Sequence, residues 1–219
     1  MEQLSLPDPS PPPRRGGRRA GAGRPRTSTK VPHGRRPELK ARHPVHAILR
    51  VRKDVTNLRS GPAFSILKGC FKAVLAREGF RLAHFSVQSN HVHLIVEAQD
   101  EKVLARAMQS LSILIAKRLN QALSRGGPVF EDHYYAQQMK SPAQVRHTLR
   151  YVFKNVEHHS GRKLDGPDSR ASEMYLAAPL PDGAPVVAPK SWLLTIGWRR
   201  AHGGAPRGRR VGLIGVQIE

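Results

Sequence analysis

The stretch Asn90-His91-Val92-His93-Leu94-Ile95-Val96-Glu97 alternates strictly between two kinds of residue, and in a β-strand residues two apart point the same way. Val92, Leu94 and Val96 form an uninterrupted apolar face, while His91, His93, Ile95 and Glu97 share the other. The pattern predicts a strand with a core on one side and two imidazoles together on the opposite side, about 7 Å apart along the chain. Two ligands at that spacing can close around one metal ion. Hydroxyl or amide oxygens completing the shell would suit Mg2+ or Mn2+, whereas a third His would suit Zn2+. Taken alone, the same spacing also fits a pair of solvated or hydrogen-bonded histidines.

Working outward, Val45, Ala47, Leu49 and Val51 alternate with His46, Ile48, Arg50 and Arg52, a strand with one largely basic face. Gly61-Pro62 opens a helix whose Ile66, Leu67, Cys70, Phe71, Val74 and Leu75 recur at helical spacing, closed by Gly79. Strands near 80–88 and 91–97 flank a polar turn at Ser89-Asn90. Asp100 caps a second helix carrying the stripe Leu104, Met108, Leu111, Ile115 and Leu119, which ends at Gly126-Gly127-Pro128. Residues 129–139 read as a fourth strand, and Ser141-Pro142 starts a last helix running to about His159. This order predicts an α+β, ferredoxin-like antiparallel sheet with helices on one face. The second face is then expected to be open for a ligand.

The last helix supplies chemistry to match the histidines. His147, Tyr151 and Asn155 follow at four-residue intervals, with His158 or His159 continuing the row, so one helical face carries imidazole, phenol and carboxamide. A core stripe would not be built from His and Asn, and Leu149, Val152 and Phe153 supply burial on other faces. A phenol is a poor nucleophile at neutral pH. It can attack a phosphodiester when a cation polarises the phosphoryl oxygens and withdraws charge from the leaving oxygen.

Composition narrows the partner. The 219 residues hold 37 Lys plus Arg against 16 Asp plus Glu, a formal charge of +21, which argues for a polyanion. Residues 1–40 contain ten basic and three acidic residues with eight Pro and five Gly, and read as a disordered basic arm. Within it Gly23-Arg24-Pro25-Arg26 resembles the core of an AT-hook, although general phosphate neutralisation accounts for the same residues. Residues 41–160 read as the folded domain, and 161–219 as an irregular extension: a linker, a short docking helix around Trp192 to Trp198, and an Arg-rich tail with Arg207, Arg209 and Arg210. One cysteine, Cys70, excludes a disulfide framework. With no apolar run long enough to span a bilayer, the expectation is a cytoplasmic, nucleoid-associated protein without membrane contact.

The segment Ser89 to Glu97 resembles the HUH motif (His, bulky hydrophobe, His) of the single-tyrosine transposases, the family that includes the REP-associated tyrosine transposases. Tyr151-Val152-Phe153-Lys154-Asn155 is similar to that family's tyrosine motif, and Val129 to Tyr135 resembles the segment before it. The resemblance implies cleavage and rejoining of single-stranded or hairpin DNA, with Tyr151 forming a 5′-phosphotyrosine link. It implies His91 and His93 as ligands of Mg2+ or Mn2+ and Asn155 as the third. The better-known members carry Gln at that third position, so His159 is an alternative. Some members are homodimers whose tyrosine helix serves the partner's histidines, while others act as monomers. His46, Arg50 and Arg52 on the first strand, and Lys154 beside the tyrosine, are the candidate DNA-binding residues. A domesticated protein that recognises hairpins or element ends without cutting is the competing reading. An RNA-binding module of the same fold is a third, and it lacks the sheet aromatics such modules use.

Overall fold

The computed structural model describes residues 38–161, 164–175 and 180–201, with backbone alone for 158–160. The basic arm before residue 38, including Gly23 to Arg26, and the Arg207 to Arg210 tail lie outside the described residues. Four strands, β1 (Val45–Arg50), β2 (Phe80–Val87), β3 (His91–Ala98) and β4 (Tyr135–Gln138), form one sheet in the order β2-β3-β1-β4, and every neighbouring pair is antiparallel. The helices around it are α1 (Gly61–Leu75), α2 (Glu101–Ala122), α3 (Pro142–Phe153) and α4 (Asn155–Ser160), followed by the short helical turns Ser172–Tyr175, Leu193–Gly197 and Trp198–Arg200. This is the expected α+β, ferredoxin-like sheet.

The alternation in the strands does what it predicts on one face. Val45, Ala47 and Leu49 of β1 and Val92, Leu94 and Val96 of β3 are buried with Ala63, Leu67, Cys70, Phe71 and Val74 of α1 and Leu104, Met108, Leu111, Ile115 and Leu119 of α2. Asp100 caps α2 by accepting hydrogen bonds from the amides of Lys102 and Val103, both at 2.8 Å. The return from α1 to β2 needs the left-handed backbone of Gly79, at φ 71°, where a side chain would also meet Gln99.

Three features depart from the expectations. The second face of the sheet is not open: α3 and the turn Leu193–Gly197 lie over it, joining Ala83, Ile95 and Met139 to Val145, Leu149, Val152, Leu193 and Leu194 in a smaller core. The fourth strand is shorter than 129–139. Phe130 makes only an isolated bridge to Val51, because Asp132 turns the chain by accepting from the amide of His133 at 2.7 Å before β4 begins at Tyr135. The last helix is two helices. α3 starts at a Ser141 cap with Pro142 in its first turn and ends at Phe153, Lys154 leaves helical geometry at φ −92°, ψ 10°, and α4 begins at Asn155.

The extension read as a linker follows the outer edge of β2. Val87 donates to the carbonyl of Arg170 at 2.9 Å and Val187 to that of Leu82 at 3.0 Å, while the amide of Phe85 donates to Ser172 Oγ at 3.0 Å. Its final turn packs through buried Leu193 and Leu194, with Trp192 and Ile196 exposed. Among the described residues no helix is long and apolar enough to cross a membrane.

Candidate active site

β1 and β3 pair with Arg50 opposite His91, Ile48 opposite His93 and His46 opposite Ile95. Directly opposed residues share a face, so all six point toward α3. Asn90, in the turn before β3, places its amide oxygen 2.7 Å from His91 Nδ1. An amide oxygen only accepts, so Nδ1 carries the proton and a neutral His91 presents a lone pair at Nε2. That atom is 3.0 Å from His93 Nε2. On the other side of the His93 ring, Nδ1 is 3.0 Å from His46 Nε2, and the two rings stack at 5.2 Å.

His46 is buried, and burial pulls its pKa down to about 4, so near neutral pH it is an uncharged imidazole able to accept from His93 Nδ1. A proton held there turns the His93 Nε2 lone pair toward His91. A buried group that fixes the tautomer of a ligand histidine is a recurrent feature of metal sites.

Asn155 closes the third side. The break at Lys154 turns it fully inward, to 0% exposure, with Nδ2 3.2 Å from His93 Nε2. Its Oδ1 is buried without a hydrogen-bond partner, an arrangement that normally costs about 1–3 kcal/mol. The two ends of an amide are exchanged by a half turn of the group, which would aim this acceptor at the two imidazoles.

These residues fit a divalent cation. Two donors at right angles on one octahedral ion, each about 2.1 Å from it, lie about 3.0 Å apart, which matches the His91 to His93 separation of 3.0 Å. Two imidazoles and a neutral amide oxygen form a donor set that a divalent cation could share with further oxygens from substrate and water. Among the described residues no group of three His, Cys, Asp or Glu side chains is arranged to hold a metal, so the amide is the third donor that the geometry offers.

Tyr151, one turn before Asn155, is half-buried with its ring edge-on to His93 at 5.4 Å and to His46 at 6.4 Å. Thus the structure brings His91, His93, Asn155 and Tyr151 together. It leaves His147 exposed on the outer face of α3. The side chain of His159 lies outside the described residues. Of the basic residues singled out, His46 is inside the site and is no surface contact. Arg50 pairs with Glu131 at 3.1 Å, Arg52 with Asp54 at 3.1 Å, and exposed Lys154 lies 3.9 Å from Glu157. Glu97, on the same strand face as the histidines, instead accepts from the amides of Lys190 and Ser191. Asn90 was not singled out from sequence, although its position beside His91 is the signal that could have found it.

A ferredoxin-like sheet that offers a His-hydrophobe-His pair to a tyrosine-bearing helix defines an HUH-type tyrosine transposase. The family model described as "Transposase IS200 like" matches residues 40–155, and the chain belongs to that family. Among solved structures, the REP-associated tyrosine transposase bound to a REP hairpin is similar over 70% of this chain and 90% of its own, with a TM-score of 0.56 at 14% identity. That likeness speaks for the fold. A protein described as a transposase from Deinococcus radiodurans R1 is 19% identical over 56% of this chain and 97% of its own, at a TM-score of 0.38 that carries no argument. No curated protein sequence matches the chain.

Proposed function

We propose that this transposase cleaves and rejoins single-stranded, hairpin-forming DNA through a covalent link to Tyr151. The observation that carries the reading is the convergence of the His91 and His93 Nε2 atoms, 3.0 Å apart, with the Asn155 carboxamide, whose Oδ1 is unsatisfied, and the Tyr151 ring. A non-cleaving binder has no use for a buried acceptor without a partner, so the enzyme reading is favoured.

In this reading His91, His93 and Asn155 hold Mg2+ or Mn2+. When bound, the cation polarises the phosphoryl oxygens and withdraws charge from the leaving oxygen. The chain's own residues do the rest. Tyr151 Oη attacks phosphorus, the bond from phosphorus to the 3′ oxygen breaks, and the phenolic proton passes to solvent while the 3′ oxygen leaves as a hydroxyl. The products are a 5′-phosphotyrosine and a free 3′ end, and attack of a 3′ hydroxyl on the same phosphorus reverses the step and rejoins strands. His46 and Asn90 are positioning residues that hold the two imidazole tautomers. α3 covers the site and limits water access, protecting the ester from hydrolysis.

Lys154, Arg50 and Arg52, with the basic segments at both ends of the chain, supply sequence-independent attraction for the phosphate backbone. The folded domain of residues 41–160 supplies the chemistry. The test is incubation with end-labelled hairpin DNA and Mg2+ or Mn2+. A labelled adduct that survives denaturation and is lost in Tyr151→Phe is the expected result. Absence of an adduct across varied hairpins with both metals would reassign the protein to hairpin binding without cleavage.

A further inference from the structure

The family match ends at residue 155, yet residues 164–175 and 180–201 are tied to the domain at several places. Asp168 is 2% exposed at its side chain and pairs with both terminal nitrogens of Arg59, each at 2.8 Å. Arg59 Nη1 also donates to the carbonyl of Val87 at 2.7 Å. A bidentate, nearly buried pair of this kind fixes geometry more than it adds stability. Backbone bonds from Val87 and Val187 continue the attachment along β2.

Glu97 makes the decisive tie. It stands on the strand that carries His91 and His93, is 5% exposed, and its two oxygens accept from the amides of Lys190 at 2.8 Å and Ser191 at 2.7 Å. Arg81 is its nearest counter-charge, 3.9 Å away. A carboxylate bonded to two successive amides just ahead of a helical turn fixes the chain's approach to that turn. The turn's Leu193 and Leu194 are buried against Val145, Leu149 and Val152 of α3. Arg146 of α3 returns a hydrogen bond to the carbonyl of Ala201. A continuous path therefore runs from the histidine strand through Glu97 and the two leucines to the helix bearing Tyr151.

We infer that this C-terminal segment is a strap that holds the tyrosine helix over the histidine pair of its own chain, so that one chain builds the whole site. Without it, the buried apolar support of α3 on the sheet reduces to Ala83, Ile95 and Met139, beside the ring contacts of Tyr151 with His46 and His93 and of Phe153 with His84, an attachment compatible with exchange of α3 between two copies. The strap also occupies backbone groups on the outer edge of β2, which removes that edge as a site for pairing sheets between copies. Glu97 is thus a positioning residue acting on Tyr151 through the strap.

The test has two arms, of which only the first rests on the strand-transfer reading. Two inactive chains, His93→Ala with a size tag and Tyr151→Phe without, are co-expressed and offered labelled hairpin DNA. The strap predicts no adduct beyond that of either variant alone. Adduct on the tagged chain at a level comparable to wild type would overturn it. The second arm is hydrogen exchange without DNA in wild type, Leu194→Asp and the milder Glu97→Gln. Exchange at residues 145–153 is expected to rise about tenfold in the variants while β1 and β3 keep their protection. Unchanged protection of α3 in both variants would overturn the strap. If Leu194→Asp loses protection throughout the sheet, Glu97→Gln decides. A wild-type chain that forms no adduct contradicts the strand-transfer reading and leaves the exchange arm to judge the strap.

Discussion

The two faces of the sheet are built on opposite plans. Toward α1 and α2 the sheet offers Val45, Ala47, Leu49, Val92, Leu94 and Val96, packed with the apolar residues of those helices. Toward α3 it offers His46, His84, Ser86, His91, His93 and Glu97, all buried, with eight buried apolar residues around them. Burying so many polar groups is costly unless each finds a partner. Five of the six find polar partners, Asn90 for His91, His46 and His93 for each other, Gln88 for Ser86 and two strap amides for Glu97, while His84 packs edge-on against Phe153. Asn155 Oδ1 is left without a polar partner, on the carboxamide whose Nδ2 lies 3.2 Å from His93 Nε2. The first face folds the chain, and the second spends stability on a preorganised site.

This contrast can be broken by substitution. On the site face, Tyr151→Phe should reduce covalent adduct by at least about a thousandfold with an unchanged melting temperature, whereas Phe71→Ala on the folding face should cost about 3–5 kcal/mol in denaturant titration. A Tyr151→Phe chain that unfolds would erase the distinction between the faces. Next in size, Asn155→Ala and His46→Ala should each weaken Mn2+ binding, followed by calorimetry or electron paramagnetic resonance, by about 10–100-fold. His46→Gln, which keeps an acceptor toward His93, should recover part of that loss. Equal Mn2+ affinity in all three variants would remove both residues from the account.

A smaller effect concerns pH. Burial beside Phe153 lowers the pKa of His84 to about 4 from about 6.5 in the unfolded chain. The unfolded state therefore binds the extra proton between these values, and the contribution is complete above about pH 6.5 and lost as pH falls toward 4. That loss amounts to about 2 kcal/mol by pH 5. His84→Gln should show a correspondingly weaker fall in stability between pH 7 and 5, and parallel curves would contradict the assignment. The smallest effect is expected at Arg52, exposed and already paired with Asp54. Arg52→Ala should weaken hairpin binding about two- to threefold and lower the salt slope by about one.

The folding face was legible because its signals are local: period two in β1 and β3, and the 104, 108, 111, 115, 119 stripe in α2. The His-x-His pair and Tyr151 were legible for the same reason. The helix break at Lys154 was not, since no Gly or Pro marks it, and it is the break that turns Asn155 inward. His46 looked like part of a basic surface because the covering of that face by α3 is a tertiary event. The strap looked like a linker because it is rich in Pro, Gly, Ala and Ser, and its edge bonds use backbone groups that every residue but Pro can supply.

In the proposed reaction Tyr151 is the nucleophile that becomes linked to DNA. Trypsin cleaves after Arg150 and Lys154, so the linked residue would lie in the peptide Tyr151-Val152-Phe153-Lys154. Mass spectrometry of the nuclease-trimmed, digested adduct should find that peptide carrying a nucleotide through its 5′ phosphate on the phenol. An adduct mapped to any other residue, or a cleaved hairpin with this peptide unmodified throughout the reaction, would contradict the account.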